Sequence, residues 1–209
     1  MTIAVLGSGN VDGALGTHWA KAGHRVRFAS RNPQSGDMAK LIETAGPNAR
    51  AATAGEAVNG ADIVVLATPW PATEEIIAQC GGLAGKRVLD ATNPPGEGLS
   101  LTHSGKDSGG EQVQRWAPAA RVVKVFNTTG YGNMERPAYD GKASVMFYAG
   151  DDAAAKEVAE KLSDEVGFDS IDAGPLENAR LLEAWALLWI KMAVFYGHGR
   201  DFAFVMHDR

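Results

Sequence analysis

What this chain has little of narrows its function. It carries one cysteine, Cys80, in 209 residues, so an internal disulfide framework is excluded and a reducing, cytoplasmic setting is expected. Its net charge is −5 and no basic stripe runs along it, which argues against nucleic-acid binding. The most apolar stretch, residues 184–196, is 13 residues long and contains Lys191. A bilayer span needs ~20, so no membrane association is expected, and no secretory leader is expected before the first apolar run. The five histidines lack metal-ligand spacing such as HxxxH. Against these absences stands a hydrophobic content of 45% with 22% charged residues, enough for one large domain or a domain with a small appendage.

Familiar hydrolytic signals also fail. Lys106-Asp107-Ser108-Gly109-Gly110 echoes a protease nucleophile loop with His103 nearby, but the surrounding alternation of strands and helices is wrong for that fold. The same loop lacks the first glycine of a P-loop and has Asp107 where Ser or Thr is required. Ser108 to Glu111 reads instead as a capping box opening a helix to Trp116.

A missing acid is the most telling absence. Thr2 to Leu6 reads as a buried strand, Gly7-Ser8-Gly9-Asn10-Val11 as a Gly-rich turn, and Ala14, Leu15, Trp19 and Ala22 as one face of a helix. Arg25 to Ala29 is the next strand. Strand, glycine turn, helix and strand form the unit that places a diphosphate on a helix N-terminus. At the end of the second strand, 23 to 25 residues beyond Gly7, such chains normally carry an acid for the ribose hydroxyls. Here Ser30-Arg31-Asn32 stands there. A guanidinium in that place suits a 2′-phosphate, so NADP is expected rather than NAD.

One residue departs from the GxGxxG fingerprint: Asp12 occupies the third glycine's position, with Gly13 one step late. Either Asp12 lies in the first helical turn and points away from the ligand, or its bulk and charge weaken cofactor binding.

Further on, helix is expected over 34–44 and from Trp70 to about Cys80, and strand over 49–52, 62–67, 87–90, 121–125 and 144–149. Asp151-Asp152 caps a helix to Val166, a strand follows over 169–172, and Gly174-Pro175 starts a long final helix that stops at Gly197. The fold class is α/β: a Rossmann-type, doubly wound, mostly parallel sheet with a small helical C-terminal part. Residues 1–150 form the NADP-binding domain and 151–209 an α/β extension. Strand ends carry Thr68-Pro69-Trp70, Thr92-Asn93-Pro94 and Asn127-Thr128, where such sheets bind ligands. The final helix has two adjacent apolar stripes, one more than a helix facing its own sheet needs. It is therefore buried either against a second subunit or flat ligand, or within its own core.

These pieces together resemble the coenzyme F420-dependent NADP oxidoreductases, on the Gly-Ser-Gly-Asn-Val turn, Ser30-Arg31, Pro69-Trp70, the Lys124 to Thr128 run and Asp172-Ala173-Gly174-Pro175-Leu176. The chain is also similar to the cytosolic NADPH-binding domain of the six-transmembrane ferric reductases. The resemblance implies hydride transfer between NADP(H) and a deazaflavin, two rings that carry their own reactivity, held face to face. It places Ser8, Gly9, Asn10 and Val11 at the phosphates and nearby ribose, following Gly7, and Ser30 with Arg31 at the 2′-phosphate, beside Asn32. Thr68, Pro69, Trp70, Asn93 and Pro94 would line the nicotinamide. Asn127, Thr128, Gly197 and His198 would border the second ring. Ser35 replaces a lysine that assists the 2′-phosphate in the archaeal enzymes, and Asn127 matches a histidine beside their deazaflavin. The expected partner is a small redox acceptor, F420 or alternatively FMN, FAD or another small molecule, within a homodimer. A non-catalytic NADP-binding redox sensor is the alternative of a different class.

Overall fold

The computed structural model describes residues 1–7, 9–103 and 105–207. Eight strands form one sheet in the order β10-β9-β6-β5-β4-β1-β2-β3. They are β1 (Thr2–Leu6), β2 (Arg25–Ala29), β3 (Ala49–Ala52), β4 (Ile63–Leu66), β5 (Arg87–Asp90), β6 (Arg121–Lys124), β9 (Val145–Gly150) and β10 (Asp169–Asp172). A hairpin of β7 (Ala138–Tyr139) and β8 (Lys142–Ala143) stands apart. The first six strands are mutually parallel, β9 runs antiparallel to β6, and β10 is parallel to β9.

The helices are α1 (Asn10–Lys21), α2 (Gly36–Ala45), α3 (Ala54–Val58), α4 (Trp70–Gln79), α5 (Gly109–Trp116), α6 (Tyr131–Glu135), α7 (Ala153–Val166) and α8 (Ala179–Val194). They cover both faces of the sheet, which explains why its central strands are apolar throughout rather than alternating. In β1, Ile3 and Val5 enter the core that holds Leu15, Trp19 and Leu162, while Ala4 and Leu6 enter the one that holds Ile77, Val113 and Ala179. In β4, Ile63 and Val65 divide from Val64 and Leu66 in the same way.

Most helix starts follow local side-chain chemistry. Asp152 accepts the Ala155 N–H at 2.8 Å to start α7, and Ser108 accepts that of Glu111 at 3.1 Å to start α5. The final helix differs from expectation at its start. Pro175 is extended (φ −69°, ψ 163°), residues 176–178 form a 3₁₀ turn, and α8 begins only at Ala179. The Leu176 N–H is taken by the Asp151 carboxylate at 2.9 Å, so the chain is tied to the start of α7 before it can coil. The α3 and α6 helices and the β7–β8 hairpin have no counterpart in the sequence reading, being too short for a periodic apolar pattern.

No helix among the described residues is long and apolar enough to cross a membrane.

Candidate functional site

Strand register builds the site. Leu6 pairs with Ala29 on one side and Leu66 on the other, Leu66 with Asp90, and Asp90 with Lys124. Five parallel strands therefore end in one row. Gly7, Ser30, Thr68, the Thr92–Pro94 segment and Asn127 all emerge at one edge of the sheet. The chain order reverses between β1 and β4, which is where open α/β sheets bind ligands.

Of these segments, the first two meet in a cleft of roughly 620 Å³ between α1 and α2, lined by Gly9, Asn10, Ser30 and Ser35 among others, within the size range of cofactor sites. Gly7 has φ +148°, a conformation that favours glycine. Ser8 lies outside the described residues. Gly9 caps α1, and Asn10 opens it exposed to solvent. Val11 does not face the cleft; it packs on the core. Ser30 accepts the Asn32 N–H at 3.1 Å, and the Asn32 carbonyl accepts that of Ser35 at 3.1 Å. This tight turn presents Arg31 to solvent. Ser35 accepts the Met38 N–H as the cap of α2. The other arginine near the end of β2, Arg27, is committed elsewhere: its guanidinium binds the carbonyls of Glu56, Ala57 and Asn59 at the end of α3.

The residues expected on the nicotinamide side lie on the same sheet edge but not in that cleft. Thr68 is buried and shares a 2.8 Å hydrogen bond with Thr73. Pro69 caps α4, and its carbonyl accepts from the Thr73 hydroxyl. The Trp70 ring packs against Trp116 with centroids 5.1 Å apart and edge-on to His103 at 6.5 Å. Asn93 and Asn127 clasp each other across β5 and β6: Asn93 Nδ2 donates to the Asn127 carbonyl at 2.9 Å, and Asn127 Nδ2 to Asn93 Oδ1 at 3.2 Å. Asn127 Oδ1 is buried without a partner among the described residues. Pro94 is buried and accepts from Thr102, and the Thr128 hydroxyl faces the Met146 sulfur at 3.5 Å. Gly197 and His198 are exposed, with the His198 ring 5.9 Å from Phe202. Phe202 stacks on Trp189, whose ring fills the space beside Gly130. His198 thus reaches the Asn127–Gly130 segment through Phe202, by way of the Trp189 ring and of Asn133, which donates to the Phe202 carbonyl and to Thr129.

Asp12 does not point away. Its carboxyl is 1% exposed and folds back under the turn, with Oδ2 accepting the Gly9 N–H at 2.5 Å. A Cβ on Gly7 would come within 2.4 Å of that oxygen. Burial pushes its pKa up to about 7, opposed by the backbone N–H groups of Gly9 and of Asp12 itself. The close approach of α1 to the sheet comes one turn later, at Gly16, where a Cβ would meet the Phe28 ring at 2.3 Å.

Behind the row lies a buried charge cluster that went unread in the sequence. Lys124 Nζ donates to Asp90 at 3.0 Å, to Glu183 at 2.9 Å and to the Thr92 carbonyl at 2.6 Å. Glu183, from α8, also accepts the Gly109 and Gly110 N–H groups at 3.0 and 3.1 Å, capping α5. Burial alone would drive the proton off Lys124, but the charges of Asp90 and Glu183 outweigh it and hold the ammonium above its ordinary pKa. The sequence signal was a charge at the sheet-edge end of each of two short strands that also begin with an arginine, and a Glu inside the apolar α8. Phe126, between this cluster and Asn127, has φ +63°, rare for an aromatic residue, and is held there by full burial edge-on to Trp19.

Residues 2–94 match the model of the NADP oxidoreductases that depend on coenzyme F420. A protein of Arthrobacter sp. FB24, assigned as an F420-dependent NADP-reductase, is 31% identical and superposes with a TM-score of 0.89 over 100% of both chains. The chain belongs to this family. The F420-dependent NADP reductase of Methanothermobacter thermautotrophicus is 29% identical to it over 209 residues, 93% of this chain and 90% of that protein. The metalloreductase STEAP3 of Rattus norvegicus is 30% identical over 182 residues, 87% of this chain, and the chain spans 36% of that protein's length.

Cys80, at the end of α4, is half-buried, and burial pushes its thiol pKa up, the opposite of what an activated nucleophile needs. Among the described residues no cluster of three potential ligands could hold a metal.

Proposed function

We propose that this family member transfers hydride between NADP(H) and a deazaflavin of the F420 type. The observation that carries the cofactor half is the meeting of the Gly-rich turn and the Ser30–Asn32 turn in one cleft, with no acid at the end of β2. Backbone N–H groups at the start of α1 would hold the diphosphate. Arg31, exposed at the tip of its turn, would pair with the 2′-phosphate. When bound, NADPH supplies the hydride from C4 of its nicotinamide and a deazaflavin accepts it at C5. The chain's own part is placement: the Asn93–Asn127 clasp holds the ends of β5 and β6 together.

The transfer between two such rings needs no nucleophile, and the one proton that completes the reduced deazaflavin would come from solvent. In this reading residues 1–150 form the cofactor side, while 151–209 form the acceptor side and, through the exposed face of α8, a homodimer contact. Within the Gly-rich turn, Asp12 is the residue whose carboxyl would share the N-terminus of α1 with the diphosphate.

The deciding experiment mixes the protein with NADPH and, separately, F420, FMN and FAD, and follows the reduced-nicotinamide absorbance band. Oxidation with F420 and not with the flavins is expected. Turnover with FMN or FAD alone would replace the acceptor, and NADPH binding without turnover by any of them would leave a redox-sensing module.

A further inference from the structure

The N-terminus of α1 already holds an internal acid. Asp12, third residue of that helix, turns its carboxyl back beneath the Gly-rich turn and takes the Gly9 N–H on Oδ2 at 2.5 Å. Its other oxygen, Oδ1, is buried with no hydrogen-bond partner among the described residues. An ionised carboxylate placed this way has one oxygen unsolvated and unpaired. It also occupies a donor that a helix N-terminus would otherwise present to an anion.

Among the described residues no cation pairs with it. β1 and β4 bring only apolar side chains toward it. The elements packed against α1 carry Arg25 and Arg27 (β2), Asp37, Lys40 and Glu43 (α2), Tyr131 and Glu135 (α6) and the charged residues between 156 and 165 (α7). None of these, nor His18 and Lys21 at the far end of α1, acts on the carboxyl; burial and the backbone N–H groups account for its state.

We propose that Asp12 couples occupation of the Gly-rich turn to proton uptake, because a dinucleotide diphosphate and the ionised Asp12 carboxylate compete for the same helix N-terminus. The inference rests on the NADP(H) reading above. On binding, one proton moves from solvent to Oδ1, the oxygen without a partner. The neutral carboxyl keeps its bond from Gly9 and no longer repels the phosphates. The carboxyl titrates near neutrality even before ligand arrives, and a bound diphosphate raises that value further. Affinity for NADP⁺ therefore falls as pH rises above about 7, by up to ~tenfold per pH unit.

Titration calorimetry with NADP⁺ at about pH 8, in buffers of different ionisation enthalpy, counts the protons taken up. The 2′-phosphate titrates as well, so the parent is compared with Asp12→Asn, which can still accept from Gly9 but cannot ionise. The parent should take up about one proton more than the variant. The parent alone gives a second readout: adding NADP⁺ should remove a carboxylate band and create a protonated-carboxyl band in the infrared difference spectrum. Equal proton uptake by the two proteins, or no new carboxyl band in the parent, overturns the proposal while leaving NADP⁺ binding intact. If NADP⁺ binds the parent at no pH, the cofactor reading itself fails and the inference falls with it.

Discussion

At the scale of single residues, the proposed cofactor site would offer the phosphates a sparse set of charges. Arg27 is occupied by the end of α3 and Ser35 by the start of α2, so Arg31 is the cation that the end of β2 offers. Replacing Arg31 with Ala should cost NADPH about 1.5–3 kcal/mol, the worth of a charge-assisted contact, with little change for NADH. Equal losses for the two cofactors in fluorescence titrations would refute that role. Asp12 also bears on stability. Its pKa of about 7 in the fold lies above the usual 3.8, so the folded chain binds that proton more tightly than the unfolded chain. The sign follows for Asp12's own contribution: it is greatest below about pH 4, falls as pH climbs toward 7 and is level beyond, a loss of up to about 4 kcal/mol. In Asp12→Asn this decline should be absent. Urea unfolding at about pH 4 and 8 checks it, and parallel behaviour of parent and variant would sink the claim.

At the scale of elements, two contacts decide how helices meet the sheet. The first is Gly16, where α1 touches the Phe28 ring on β2. Ala is the better helix former by about 1 kcal/mol, yet overpacking a buried ring costs roughly 1–3 kcal/mol. Gly16→Ala should therefore be neutral to destabilising by about 2 kcal/mol, and a stabilised variant in denaturant melts would show that the ring yields freely. The second is Glu183, which joins α8 to Lys124 and to the N-terminus of α5. Glu183→Leu leaves two backbone donors and part of a buried ammonium uncompensated. A loss of about 3–5 kcal/mol is expected. Loss of less than about 1 kcal/mol would mean that the cluster contributes little to holding α8.

At the scale of the whole molecule, α8 carries one face inward and one outward. Leu182, Ala186, Trp189 and Ala193 are buried, while Leu181, Leu188 and Phe195 are 66%, 50% and 60% exposed. Trp185, between Leu181 and Leu188, packs edge-on against Phe147 and Phe204, so the outward stripe is partly covered by its own chain, and the homodimer proposed above would rest on its exposed residues. Leu188→Glu should convert a dimer to a monomer in light scattering, with the monomer's circular dichroism unchanged. A parent that is monomeric at every concentration tested would end the dimer reading.

Much of this protein was legible in its sequence because the signals are local. Apolar runs such as Ile3–Leu6 and Ile63–Leu66 can be satisfied only by strands covered on both faces. Asp152 and Ser108 start helices through neighbours three residues away, and the turn at Ser30-Arg31-Asn32 is closed by a contact two residues long. What stayed hidden depends on partners distant in the chain. Lys124, Asp90 and Glu183 are brought together only when β5, β6 and α8 pack, and the late start of α8 depends on Asp151, 25 residues before Leu176. The direction of the Asp12 carboxyl was equally undecided. A side chain in a first helical turn can face solvent or the turn behind it, and only the packing of α1 against the sheet, with Gly7 leaving room, sends it inward. Periodicity and capping act over one to four residues, so they specify elements. Burial and charge pairing act across the fold, so the state of the site's acid was decided by tertiary structure.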